Sequence, residues 1–157
     1  MLRIENADTA EHNQENAVNV VGPVLCALPG RTTDDPKLSG FERIRVLAGT
    51  RLAKITGVAE LRERHFCNYE VNEEFRAQFE SAGLRVAALA ENGETRVVEL
   101  HDHPFFLATL FQPQLTSRSS GTAHPVIVAW LRAAGYFSEA GCSRTVFSTT
   151  DSTLSRE

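Results

Sequence analysis

The clearest helical periodicity in the chain is "NEEFRAQFESAG", Asn72 to Gly83. Phe75 and Phe79 stand four residues apart on one face, Glu73 and Glu74 fall in the first turn, Asn72 precedes them as a cap, and Gly83 follows as a stop. The period then changes. Leu84 to Ala90 and Thr95 to Leu100 are two strand-length runs, and the "ENGE" between them carries the Asn-Gly dipeptide that a tight primed turn prefers. A β-hairpin is predicted there. Phe105 to Phe111 is a continuous apolar run of strand length, stopped by Pro113. His124 to Phe137 puts Pro125 at a helix start, with apolar residues at helical spacing that end near Gly135. Phe75, Phe79, Val126, Val128 and Trp130 are the expected core contributions of these helices.

Upstream the pattern is weaker. Ala17 to Leu28 reads as a short buried strand, split by Gly22 and Pro23, that leads into a surface loop from Pro29 to Gly40. Phe41 to Gly49 alternates imperfectly, and with the following "RLAKITG" it fits a strand or a short helix. Met1 to Asn16 is polar and acidic and is expected to be an irregular arm. At the other end the chain turns rich in Ser and Thr. These features predict one domain over residues 1–137 and a disordered tail over 138–157.

Composition narrows the partners. A chain of 157 residues with 42% hydrophobic and 23% charged residues has the size and make-up of one globular domain. Its net charge of −4 supplies no overall basic surface for a phosphate backbone, so nucleic acid is not an expected partner. The apolar runs are short and the N-terminus is polar, so neither a membrane span nor a secretory signal is expected, and the predicted compartment is the cytoplasm. Cys26, Cys67 and Cys142 are odd in number and widely spaced, which argues against a disulfide framework and for free thiols.

Three clusters invite chemistry. His101, Asp102 and His103 suggest metal ligands, but an isolated His-x-His lacks further ligands at suitable spacing, and no metal is expected. Cys67 beside His65 suggests a thiol with its base; the plainer reading puts both on one strand face, with Cys67 as a small buried apolar residue. Gln112 and Gln114 flank Pro113 at the end of the apolar run. They can hydrogen-bond a small amide or carboxylate, or remain a solvated or mutually bonded loop pair.

The order "ERHFCNYEVN", helix, "AGLRVAALAENGETRVVEL", "HPFFLATLFQPQLTSR", "HPVIVAWLRAA" resembles the C-terminal half of the glutaminase domain of CTP synthase, a class I glutamine amidotransferase. The likeness rests on Arg64 and His65, Tyr69 to Asn72, Ala82 to Val86, His103 with Pro104, Pro113, Thr116 with Ser117, and His124 with Pro125, and runs from about Ile4 to Ala134. The Phe-Gln-Pro wording is similar to stand-alone CTP-synthase-related proteins that lack a synthetase domain. The resemblance implies a flavodoxin-like three-layer α/β sandwich, of which this chain supplies the C-terminal half with a mixed sheet and the hairpin. The family reaction it implies is glutamine-dependent amination of UTP to CTP with ATP. No cofactor is implied in the segment present.

The same resemblance implies an altered site. Active relatives carry Phe-His-Pro-Glu, in which the histidine activates a cysteine thiol and the carboxylate orients the imidazole. Here those positions are Gln112 and Gln114, whose neutral amides do not accept a proton near neutral pH. The family's nucleophile sits on a tight strand-to-helix turn upstream of the aligned segment, and Cys26 in "PVLCALPG" lacks that setting. The family's Arg-His-Arg-His-Arg-Tyr run helps hold the glutamine carboxylate. It reads Arg64, His65, Phe66, Cys67, Asn68, Tyr69 here, which leaves Arg64, Asn68 and Tyr69 as the candidate ligand contacts without the full guanidinium clamp. The expected function is that of a CTP-synthase-type glutaminase-like protein without glutaminase activity. Its rivals are a non-catalytic module that binds a small amide or amino acid, or docks on a partner, and an enzyme with new chemistry at Cys67 and His65. Missing sheet neighbours predict a homo-oligomer, or association with an absent N-terminal part.

Overall fold

The computed structural model describes residues 4–24 and 39–135. The predicted tail, most of the predicted 29–40 loop, Cys26 and Cys142 lie outside them. Two sheets organise the chain. The larger has the order β4-β3-β6-β7-β8 and consists of Ser39–Val46 (β3), Glu60–Phe66 (β4), Leu84–Ala90 (β6), Thr95–Leu100 (β7) and Leu107–Thr109 (β8). All its neighbours run antiparallel. The smaller joins Asp8–Thr9 (β1), Asn19–Pro23 (β2) and Tyr69–Val71 (β5), with β1 and β2 parallel and β2 and β5 antiparallel. The arm over residues 1–16 is therefore not wholly irregular, since Asp8–Thr9 pairs with β2.

The ambiguity over residues 41–56 resolves into both alternatives in succession. Phe41 to Val46 lie within β3, where Ile44 and Val46 are buried and Phe41, Arg43 and Arg45 exposed. Helix α1 (Arg51–Thr56) starts where the Thr50 hydroxyl accepts from the Ala53 N–H at 3.1 Å and ends at Gly57, whose φ of 68° only glycine adopts cheaply. Asn72 caps as predicted, accepting from the Glu74 N–H at 3.1 Å, but it opens a 3-10 turn (Glu73–Phe75) that passes into α2 (Arg76–Ser81). Phe75 and Phe79 stack with centroids 6.4 Å apart.

The hairpin forms over the predicted runs, but its turn differs. Only Gly93 has positive φ (96°) and Asn92 does not, which excludes the primed type that needs both central residues there. The Ala90 N–H reaches the Glu94 carbonyl at 2.8 Å instead, giving a longer connection, and the Arg76 guanidinium holds the Gly93 carbonyl at 2.6 Å. The apolar run of 105–111 is strand only over Leu107–Thr109. Its start is drawn into a turn, where the Arg51 guanidinium gathers the carbonyls of His103 (2.6 Å) and Pro104 (2.5 Å).

Helices α3 (Pro113–Ser120) and α4 (Pro125–Ala133) complete the chain. The core joins Ile44, Val46, Leu52, Ala88, Val97, Phe111 and Val126, so it is shared by the central strands β3, β6 and β7, the segment after β8, α1 and α4. Phe79 is buried against β6 outside this cluster. Trp130 is not core: it is 54% exposed. No helix among the described residues is long and apolar enough to cross a membrane.

The two ends of the large sheet meet. Just beyond β8, Phe111 bridges His65 of β4 in antiparallel sense, and the Gln112 N–H donates to the Arg64 carbonyl at 3.0 Å. This closure places residues 111–114 against the end of β4.

Candidate functional site

Gln112 stands at the junction of this closure with α3. Its main chain is tied to β4, its Nε2 lies 3.5 Å from the Phe66 carbonyl, and its Oε1 is buried with no partner among the described residues. Gln114 is exposed in the first turn of α3. The two glutamines are therefore neither a loop pair nor bonded to each other: Pro113 starts a helix between them because its fixed φ and missing N–H suit position N1.

His65 points inward from β4 beside the Arg96 cluster. The Arg96 guanidinium grips Glu42 with two bonds, Nε to Oε2 at 2.8 Å and Nη2 to Oε1 at 3.0 Å, and reaches Glu70 of β5 at 3.2 Å. It is thus the ionic link between the sheets. Burial pushes the His65 imidazole below its ordinary value, Glu42 opposes this, and Arg96 adds to it. The His65 Nδ1 is buried without a partner. Burial raises Glu70, against the attraction and hydrogen bond of Arg96, while Glu94 and Glu73 add to the rise.

Cys67 does not share a strand face with His65. Strand β4 ends at Phe66, and Cys67 sits half-buried in the turn to β5, where its Sγ accepts from the Tyr69 N–H at 3.4 Å. No hydrogen bond joins it to His65 among the described residues. Nor do the candidate ligand contacts converge on one point. The Arg64 side chain projects from the exposed face of β4, whereas Asn68 and Tyr69 lie beyond the turn, where the Asn68 carbonyl receives the Val24 N–H at 2.8 Å and Tyr69 pairs with Pro23. His101, Asp102 and His103 are exposed; their loop serves through its carbonyls, which hold Arg51. Among the described residues, no three ligating side chains are grouped to hold a metal ion.

The sequence reading missed the most buried polar group of this region. Glu63 lies inward on β4, and its carboxylate accepts from the Thr116 hydroxyl at 2.6 Å and meets His124 Nε2 at 3.0 Å. Both side chains are only 4% exposed. His124 Nδ1 accepts the Val126 N–H at 3.2 Å, so an imidazole with its proton on Nε2 satisfies both contacts. The Ser117 hydroxyl receives the His124 main-chain N–H at 2.7 Å. Every ring nitrogen of His124 is used in capping α4 and anchoring it to β4. The signal available in the sequence was an acid at an inward position of an alternating strand, since a buried carboxylate needs partners.

This arrangement, a five-stranded sheet bridged near a Phe-Gln-Pro-Gln corner with helices against it and a short second sheet, is an α/β fold. A search of family models found none that matches. Among solved structures the chain is similar to the glutaminase domain of CTPS from Trypanosoma brucei, determined with bound acivicin, with a TM-score of 0.74 at 24% identity. The alignment covers 86% of this chain and 53% of that one, so the chain spans about half the length of the domain it matches. The expected fold is thereby established, with antiparallel pairing throughout the larger sheet and its parallel component confined to β1 and β2.

Proposed function

We propose that this chain is a CTP-synthase-type glutaminase-like module that does not hydrolyse glutamine with the side chains it holds. The supporting observation is Gln112: at the corner where relatives place the general base, the residue is an amide whose main chain is locked to β4 and whose Oε1 has no proton to exchange. Gln114, exposed on α3, adds no charge that could orient a base. Cys67 and His65, the remaining thiol and imidazole in reach of the corner by sequence, are not hydrogen-bonded to each other, which disfavours new chemistry centred on them. The amination of UTP belongs to the complete synthase and is not proposed for this segment alone.

The test is ammonia release from glutamine by the purified chain. We expect none above the buffer rate, and none after Gln112→His with Gln114→Glu, because those changes supply a base and its partner while the Cys67 Sγ stays in the β4–β5 turn, bonded to the Tyr69 N–H. Sustained turnover by the unmodified chain would refute the proposal. A second reading, retention of a small amide or amino acid without turnover, is favoured by the unsatisfied buried atoms His65 Nδ1 and Gln112 Oε1 on the two segments that meet at the corner. A rise in melting temperature with glutamine or asparagine, reduced by Gln112→Leu, would support it.

A further inference from the structure

The outer face of the β3–β4 pair is crowded with arginine. Alternation puts Phe41, Arg43 and Arg45 of β3 and Glu60, Arg62 and Arg64 of β4 on it, all exposed, with Glu60 opposite Arg45. The register sets Arg43 directly opposite Arg62, a like-charge pair that weakens an antiparallel ladder. Among the described residues, none of the four guanidinium groups is in an ion pair. Arg62 lies over the ring of Phe41 at 4.8 Å, and that ring is itself 55% exposed. On these two strands the face carries four guanidinium groups against the single carboxylate of Glu60, so donors outnumber acceptors on it.

Elsewhere the chain has the reverse imbalance. A cleft of about 570 Å³ beside the small sheet is lined by Asn19, Glu70, Glu73, Glu74 and Glu94 and has no lysine or arginine in its described lining. Glu73 and Glu70 are engaged by Arg76 and Arg96. The Oδ1 of Asn19 and the Oε2 of Glu94 are buried and have no hydrogen-bond donor among the described residues. The carboxylates are not arranged as a metal ligand set. Two such oxygens beside further carboxylates suit a cation that carries several N–H donors.

We propose that two copies of this chain associate through these surfaces, the arginine face of one against the acidic cleft of the other. A guanidinium carries five donors and suits paired oxygens, and its attraction to a carboxylate strengthens as water leaves the cleft. Charge selects the orientation: with a net charge of −4 and four arginines gathered on one face, the rest of the chain is more acidic still, so arginine face meets cleft and not arginine face. The contact is heterologous, using two different patches of the same molecule. It does not depend on the glutaminase reading.

Sedimentation of the whole chain tests it with two charge-swapped variants, Arg43→Glu with Arg62→Glu and Glu74→Lys with Glu94→Lys. The unmodified chain should associate at low salt, and its association constant should fall by more than about tenfold as the Debye length shrinks to about 3 Å near 1 M. Each variant alone should be monomeric, and an equimolar mixture should associate again, because the unaltered face of one variant then meets the unaltered cleft of the other, and reversed face meets reversed cleft. Circular dichroism checks that each variant is folded, and Arg43→Gln with Arg62→Gln serves if a reversal is not. A monomer at every salt concentration, or association indifferent to salt and to both swaps, would overturn the proposal. So would a monomer that uses Arg43 and Arg62 to bind single-stranded DNA or polyglutamate.

Discussion

A single side chain, Glu63, joins three elements that are far apart in sequence. Its carboxylate is shared between Thr116 of α3 and His124 at the start of α4, and the Glu63 and His124 side chains are both buried. Removing it leaves an N–H and a hydroxyl without acceptors, so Glu63→Ala should destabilise the fold by about 3 kcal/mol, read from the urea midpoint at unchanged m. His124→Ala should cost a similar amount because it also removes the cap, and the double variant should cost much less than the sum. His65 carries a pH signature. Its imidazole is held below its ordinary 6.5, so the unfolded chain binds more protons as the medium is acidified, and the stability it contributes is present above that value and lost below it. Glu70 acts oppositely, raised from 4.5, so acidification toward that value relieves its burial. Urea titrations from pH 8 to about pH 5 should show the first slope in the parent chain and its loss in His65→Gln. The inward acid of β4 was visible in the sequence as a position, but its partners lie more than fifty residues away, and no local pattern names them.

At the scale of elements, what could be read from the sequence was what short-range chemistry decides. The cap at Asn72, the two hairpin strands and the start of α4 at Pro125 depend on neighbours a few residues away, and they lie where the pattern put them. What failed depended on tertiary partners. The turn at Gly93 is adjusted by Arg76, and the apolar run before Gln112 is shortened by Arg51. Helix α1 was ambiguous for the same reason: six residues are too few to show a period, and its start is fixed from a distance by Glu99, whose two oxygens accept the N–H groups of Arg51 (2.9 Å) and Leu52 (3.2 Å). A carboxylate 2% exposed at a helix N-terminus satisfies two otherwise orphaned donors. Glu99→Ala should therefore cost about 2 kcal/mol, with exchange of the α1 amides accelerated ahead of those in β3. Hydrogen exchange read by mass spectrometry would resolve the two segments.

For the whole molecule, the fold was legible through the order of its landmarks, while the closure of the sheet was not. Nothing in the apolar run announces that Phe111 will pair with a strand beginning fifty residues earlier. The exposed Trp130, the chain's one tryptophan, reports on the outside of α4. Its emission should already be that of a solvated indole in the folded chain, strongly quenched by acrylamide and shifting little on unfolding; a blue-shifted, protected emission would mean that something covers α4. The Phe111–His65 bridge has a kinetic meaning as well. One bridge and the Gln112–Arg64 hydrogen bond join two segments far apart in sequence, so the amides of residues 64–66 and 110–112 should open to deuterium as one unit.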